Sequence, residues 1–235
     1  MPVQKEIRKK ANIYFFSKVV FNALLIVLGA VLIALFLRHM QHRTALTKQR
    51  ENSEQALAEA TNGEVFFDNY GEVTRVREAL AFYPEDVRRK KLAGQLLLMA
   101  QSGQYNYTRC LKHGETAAAQ MAVFTFAQSA VSAAFLLGRR YMPYYKWSFR
   151  ALRALPKLSA LEAPLEFLMT TTNEEEGLCE EKADTIEKIA ADVIDELCAQ
   201  GLTKAVCGDL EKHAYSVNDG IADAGVRNLH ILAAV

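Results

Sequence analysis

The sequence predicts a mainly helical protein with an N-terminal transmembrane helix, a helical stalk and a helical bundle. An uncharged apolar run near the N-terminus has the length of a membrane span. The chain has five prolines and twelve glycines in 235 residues, and alternating β-branched residues are scarce. No charged residue lies between Glu115 and Arg139, which is typical of a helix buried on most sides. We expect at most one short β-strand or hairpin, near 64–70.

The apolar run extends from Val19 to Leu37 and contains one strongly polar residue, Asn22. A helix of that length spans about 30 Å, which matches the hydrocarbon core of a bilayer. Lys18 and Arg38 bracket the run. We therefore predict a single transmembrane helix at about 18–38, in contact with the lipid bilayer. A cleaved signal peptide fits less well, because the run is too long and no small-x-small cleavage site follows it.

The predicted side of the membrane rests on charge and on cysteine usage. Basic residues flank the span almost equally, with a slight excess before it that favours an N-terminus inside. The cysteines form no CxxC pair or zinc pattern, and free thiols are typical of a reducing compartment. With a single span, an N-terminus inside would place the bundle outside, whereas the free thiols favour a bundle inside. The two signals conflict, and our prediction is a single-pass membrane protein whose bundle lies in the cytoplasm. The net charge of +1 gives no argument for a nucleic-acid partner, and we predict none.

Polar, helix-favouring residues from 39 to 60 predict the stalk, and Thr61-Asn62-Gly63 breaks it. We place the domain boundary there, with anchor and stalk at 1–62 and the bundle at 63–235. The string EVFFD, Glu64–Asp68, is typical of a short strand, and Asn69-Tyr70-Gly71 predicts a turn after it.

The first bundle helices are predicted at Thr74–Phe82 and from Pro84 to about Gln104, since proline and acids suit a helix start. Within the second helix, Arg88–Lys91 would form either a solvated face or an anion-facing patch. Thr116–Gly138 predicts a core helix with a polar stripe. We reject it as a second span, because amide side chains are costly in lipid.

After Trp147 we expect short helices at Phe149–Leu155 and Leu158–Met169. A capping signal at Thr171–Glu174 precedes an amphipathic helix that Gly201 ends. In the tail, Asp209, Glu211, His213 and Asn218 would be either polar ligands or caps and surface groups. The whole gives a bundle of about five to seven helices around the central one.

Charged and aromatic residues cluster at both ends of the central helix and indicate a polar site, without naming its ligand. They are Tyr105, Tyr107, Arg109, Lys112, His113, Glu115, Arg139, Arg140, Tyr144, Tyr145 and Lys146. In the alternative interpretation, Arg139, Arg140 and Lys146 only stabilise the C-terminal end of the helix through its dipole.

Six strings in order carry a family resemblance: EVFFDNYGEVTRVRE, FYPEDVRRKKLA, MAQSGQYNYTRCLKHGE, FLLGRRYMPYYKW, DLEKHAYSVND and RNLHILA. Over roughly three quarters of the chain, they resemble the C-terminal part of bacterial proteins of unknown function that carry a nucleotidyltransferase domain. The helical half is similar in role to the C-terminal bundle of aminoglycoside nucleotidyltransferases.

The resemblance implies that the catalytic domain is absent here. In that family an N-terminal α/β domain holds a Gly-Ser turn and an Asp-x-Asp or Asp-x-Glu pair that binds Mg²⁺. This sequence has no Asp-x-Asp and no Gly-Ser for an acidic pair to follow, so we predict no catalytic residue, metal ligand or cofactor in this chain. Mg²⁺ and a nucleotide would enter only with a catalytic partner. The resemblance implies that the eleven clustered residues face that partner or its substrate, with Glu115 the one carboxylate placed to act as a base.

We therefore predict a non-catalytic, membrane-tethered helical domain with a binding or scaffold role. Alternatively, the chain is the helical half of a split nucleotidyltransferase whose catalytic domain belongs to another chain, with EVFFD completing a partner sheet. A helical ribonuclease is a third hypothesis, although Arg109 and His113 fall short of the required spacing.

Overall fold

The computed structural model describes residues 54–234, and within that range the fold is mainly helical. The predicted transmembrane helix at 18–38 and the first part of the predicted stalk lie outside the described residues. The helices are α1 Glu54–Thr61, α2 Glu72–Ala79, α3 Glu85–Met99, α4 Thr108–Lys112, α5 Thr116–Leu137, α6 Tyr145–Leu152, α7 Glu162–Thr170, α8 Glu176–Ala199, α9 Leu210–Asp219 and α10 Ala224–Arg227. A π-helix, Ala100–Tyr107, joins α3 to α4, and a 3₁₀ turn, Ser159–Leu161, precedes α7.

The central helix of the bundle is α5, which packs against α3, the π-helix, α7 and α8. Val123, Phe126 and Ala130 are fully buried, so the prediction of a core helix is confirmed. Among the described residues, α5 is the one helix long and apolar enough to cross a membrane. Core helices of soluble proteins share that property, and 72% of the apolar window of α5 is buried in the bundle.

The predicted strand at Glu64–Asp68 is wrong. The described residues contain no strand that could supply its ladder of backbone hydrogen bonds. The segment has no regular secondary structure, and Phe66 is 92% and Phe67 78% exposed. The predicted turn after it is confirmed: Gly71 has φ 67°, and its N–H donates to Asp68 O at 3.3 Å.

The predicted helix break after α1 is confirmed, since α1 ends at Thr61 and Gly63 has φ 73°. Arg77 Nη2 on α2 donates to the carbonyl oxygens of Thr61, Asn62 and Gly63 at 2.6, 2.9 and 2.6 Å. Carbonyls at a helix end have no partner within the helix, so Arg77 caps α1. Leu57 on α1 is also buried. The end of the predicted stalk is thus bonded to the bundle, while the domain boundary at 62 stays a prediction.

The basic run on α3 forms neither of the two surfaces predicted for it. Arg88 is 1%, Lys90 0% and Lys91 8% exposed. Lys90 Nζ donates to the carbonyls of Arg227 and Leu229 at 3.1 and 2.6 Å. These cations point into the bundle, where they donate hydrogen bonds to backbone carbonyls of segments that are distant in the chain. Without such donors the buried carbonyls would be unsatisfied.

The π-helix extends α3 beyond its predicted end and lies tightly against α5. A Cβ on Gly103 would stand 2.3 Å from Phe126 Cδ2 and 2.9 Å from Ile186 Cγ2. Only glycine fits that contact. On α8, Ile186, Ile189 and Val193 are buried on one face, as the predicted amphipathic helix requires, and Gly201, with φ 63°, follows the end of the helix.

Candidate functional site

The eleven predicted site residues fall into two groups at opposite ends of α5. The helix has 22 residues and is therefore about 33 Å long, at about 1.5 Å per residue. Two such distant groups cannot bind one small ligand together. The first group comprises Tyr105, Tyr107, Arg109, Lys112, His113 and Glu115, and the second comprises Arg139, Arg140, Tyr144, Tyr145 and Lys146.

In the first group, Tyr107 belongs to the core and cannot face a substrate. It is fully buried, its hydroxyl donates to Asn173 Oδ1 at 3.1 Å, and burial raises its pKa. Lys182 Nζ lies 5.7 Å from the centre of its ring. The burial of Tyr107 does not fit the anion- or substrate-facing position that the sequence analysis gave it.

The remaining members of the first group are exposed. Arg109 Nη1 donates to Tyr105 Oη at 2.6 Å, so these two side chains contact each other rather than an enclosed site. Lys112, His113 and Glu115 form no side-chain hydrogen bond or ion pair among the described residues. The structure gives Glu115 no neighbouring acid or base that would support its predicted role.

A buried cation that the sequence analysis missed lies next to Tyr107. Lys182 Nζ is fully buried and donates to Gln120 Oε1, Thr171 O and Asn173 Oδ1 at 2.9, 3.0 and 2.7 Å. Burial lowers its pKa. All three donor positions of the ammonium group are used, which assigns Lys182 to the core.

The second group borders a cleft of about 1270 Å³ between α1, α2, the end of α5 and α6. Its charged and aromatic lining includes Arg77, Glu78, Arg139, Arg140, Tyr144 and Trp147. Tyr145 and Lys146 lie beside it on α6. This cleft is the candidate functional site.

Arg139 and Arg140 have different roles in the cleft. Arg139 has φ 51°, and Arg140 N donates to Phe135 O at 3.0 Å, which closes the C-terminal end of α5. The guanidinium of Arg139 pairs with Glu85 Oε2 at 2.7 Å. The side chain of Arg140 is exposed and has no partner among the described residues. Arg139 therefore helps to end α5, as in the alternative interpretation of the sequence, whereas the side chain of Arg140 is available to a ligand.

Aromatic residues stabilise the region behind the cleft. The hydroxyl of Tyr141 donates to Leu80 O at 2.9 Å, and burial raises its pKa to about 12. Tyr83 meets Tyr141 edge-on, with ring centroids 4.9 Å apart. The Tyr83 hydroxyl is buried without a hydrogen-bond partner in the part of the chain that the structure describes.

The polar residues of the tail are structural. Asp209 Oδ1 accepts from Glu211 N at 2.9 Å and caps α9. His213 is fully buried, with its ring nitrogens 2.9 Å from Thr203 Oγ1 and 2.8 Å from Cys207 O. Across the described residues, no three His, Cys, Asp or Glu side chains lie together as a metal site would require. The predicted lack of a cofactor in this chain stays a prediction.

Comparison with known families gives one match. Residues 50–148 match the family described as a domain of unknown function (DUF4037). The match includes α1 and both groups of candidate residues. No curated protein and no solved structure matches the chain.

Proposed function

We propose that the bundle is a non-catalytic binding domain, tethered to a membrane by residues 18–38, whose cleft binds a phosphate-bearing ligand. The observation that carries this proposal is the guanidinium of Arg140, which is exposed and has no partner within residues 54–234, at a cleft that is also lined by aromatic rings. The membrane anchor and the cytoplasmic position of the bundle are part of the proposal and rest on the sequence.

The cleft lining contains three arginines and two glutamates, Glu59 and Glu78, and the exposed guanidinium of Arg140 supports an anion at its position. Arg77 is occupied by three carbonyl oxygens, and Arg139 by Glu85. Arg140 retains its planar donors, which suit phosphate or carboxylate oxygens. The ring of Tyr144, 39% exposed, offers a surface for a sugar or base.

Calorimetry on the detergent-solubilised full chain tests the proposal, with ATP and inorganic phosphate as probes. We expect ATP to bind and Arg140→Ala to weaken binding at least about 10-fold, because a charge-assisted hydrogen bond is lost. Lys188→Ala is the matched control, since Lys188 is exposed on α8, away from the cleft lining. The absence of ATP binding, or unchanged binding by Arg140→Ala, would contradict the proposal.

A split nucleotidyltransferase is the second candidate. The irregular segment Glu64–Asp68 favours it, since the exposed Phe66 and Phe67 could pack on the sheet of a separate catalytic domain. Mg²⁺ and nucleotide would then be bound by that partner. We expect a nucleotidyltransferase-domain chain to co-purify from the native host, and Phe66→Ser with Phe67→Ser to abolish its capture. Mg²⁺-dependent nucleotide transfer by the purified chain alone would contradict both candidates.

A further inference from the structure

One side of α6 combines exposed aromatic and basic residues, and Trp147 lies where this side meets the cleft. We call Tyr145, Lys146, Trp147 and Arg150 the α6 surface. Tyr145 is 65% and Trp147 56% exposed. No acidic residue occurs in the chain from Arg139 to Leu161. The local sequence therefore contributes only positive charge to this side of the bundle.

Other elements neutralise some of the basic residues in this stretch, but not those of the α6 surface. Arg153 pairs with Glu162 at 2.5 Å, and Lys157 with Glu196 at 2.7 Å. Lys146 and Arg150 have no carboxylate partner in the described part of the chain. They are four residues apart, so they project from the same side of α6. Two basic side chains without an ion pair within residues 54–234 thus project together, and Glu162 and Glu166 line the same surface depression.

The aromatic rings carry basic groups over their faces. Arg150 Cζ lies 6.0 Å from the Trp147 ring, and Lys146 Nζ lies 5.8 Å from the ring of Tyr144. A nucleic-acid base stacks on the open face of an aromatic ring, and here basic groups already lie over those faces. Rings at the level of basic side chains instead suit the headgroup layer of a bilayer, where Trp and Tyr are enriched and Lys and Arg extend to the polar region.

We propose that the α6 surface binds the headgroup layer of a bilayer that contains anionic phospholipids. Lys146 and Arg150 would contact lipid phosphates or carboxylates, while Tyr145 and Trp147 would enter the boundary between headgroups and acyl chains. Lipid binding by the α6 surface is a separate activity from ligand binding in the cleft. It rests on the proposed function in one respect: the anchor at 18–38 would hold the α6 surface near a bilayer.

Trp147 is the only tryptophan of the chain, so its fluorescence reports on this surface in the full-length protein. The test compares vesicles of phosphatidylcholine with vesicles that also contain phosphatidylserine. We expect phosphatidylserine to shift Trp147 emission to shorter wavelength and to protect it from acrylamide quenching. The double variant Lys146→Ala, Arg150→Ala should lower the ratio of docked to undocked bundle about 25-fold, since each basic residue near an anionic surface contributes about a factor of five.

The matched control is Lys188→Ala with Lys204→Ala, which removes the same charge from other exposed positions and should keep the shift. Circular dichroism and thermal melting establish that both double variants fold. Flotation with phosphatidylcholine vesicles tests the anchor separately, so its failure is distinguishable from failure of the α6 surface.

Three results would overturn the proposal. Trp147 emission could be identical in both lipid mixtures. The shift could persist in Lys146→Ala, Arg150→Ala. A single-stranded oligonucleotide could quench Trp147 where phosphatidylserine has no effect, which would make the α6 surface a nucleic-acid contact.

Discussion

Arg88 Nε donates a hydrogen bond to the carbonyl oxygen of Leu136 at 2.8 Å, at the C-terminal end of α5. Arg88 Nη2 also donates to Gln200 Oε1 at 2.5 Å, and Arg88 Nη1 lies 3.2 Å from Glu85 Oε1. The buried guanidinium therefore joins α3, the end of the central helix and the residue that follows α8. Burial lowers its pKa, with Glu85 acting in the opposite direction.

Arg88→Met should lower the free energy of unfolding by about 3 kcal/mol, because it leaves buried acceptors without donors. Urea unfolding of the full chain in detergent, followed by circular dichroism, measures this. The control is Arg75→Ala, whose side chain is 74% exposed and pairs only with Glu72; it should cost less than about 0.5 kcal/mol. Equal losses in the two variants would show that Arg88 has no special role.

Gly103→Ala should lower the free energy of unfolding by about 2 kcal/mol, because its methyl group would collide with Phe126 and Ile186. Gly177→Ala is the paired control. Its methyl group meets nothing within 4 Å, and Gly177 lies inside α8. That variant should be neutral or more stable by up to about 1 kcal/mol. A tolerated Gly103→Ala would mean that the π-helix and α5 are less closely packed.

Tyr83→Phe and Tyr141→Phe should have opposite effects on stability. The Tyr83 hydroxyl is buried without a partner among the described residues, so its removal should be neutral or stabilising by about 1 kcal/mol. The Tyr141 hydroxyl bonds to Leu80 O, and its removal should cost about 1 kcal/mol. Thermal melting of the two variants distinguishes these outcomes. A destabilised Tyr83→Phe would reveal a partner for that hydroxyl.

Glu196 should make stability fall on acidification. Burial tends to raise its pKa, but hydrogen bonds from Gln200 and Lys157 outweigh burial, and the pKa in the folded protein is lowered. The ionised Glu196 carboxylate therefore stabilises the folded protein above the pKa of glutamate in the unfolded chain, roughly 4.3. This stabilisation is lost as the pH falls through the lower pKa of Glu196 in the folded protein. Glu196→Gln should flatten the dependence of unfolding free energy on pH below about 5, measured by urea titrations. Glu180→Gln, on an exposed part of α8, should keep the slope of the parent protein.

The central helix was predictable because burial on most sides requires an uncharged run, and the run from Thr116 to Leu137 is visible in the sequence. The composition of Glu64–Asp68 is compatible with a strand. A strand also needs a neighbouring strand to pair with, and the local sequence does not show whether one is present. The inward direction of Arg88 was equally hidden: its acceptor on Leu136 lies far along the chain.

The candidate site was partly predictable. The positions of Arg139, Arg140 and Tyr144 beside a cleft agree with a polar site at one end of α5. Their separation from Arg109 and His113 follows from the length of the helix and could have been deduced from the sequence. Tyr105 and Tyr107 are two residues apart in a helix and therefore lie on nearly opposite faces, but which of the two is buried depends on how the π-helix packs against α5 and α8.

The two inward-pointing lysines of α3 fix the end of the chain through its main chain. Lys90 bonds to the carbonyls of Arg227 and Leu229, and Lys91 Nζ bonds to Ala234 O at 3.1 Å. Every residue type carries such an oxygen, so the exposed side chains from 227 to 234 can change during evolution while the attachment is retained; Ile231 and Ala234 are buried and are constrained by packing. A change in the tail cannot restore an amine that is lost from Lys90 or Lys91. The evolutionary constraint therefore falls on α3 rather than on the segment that α3 anchors.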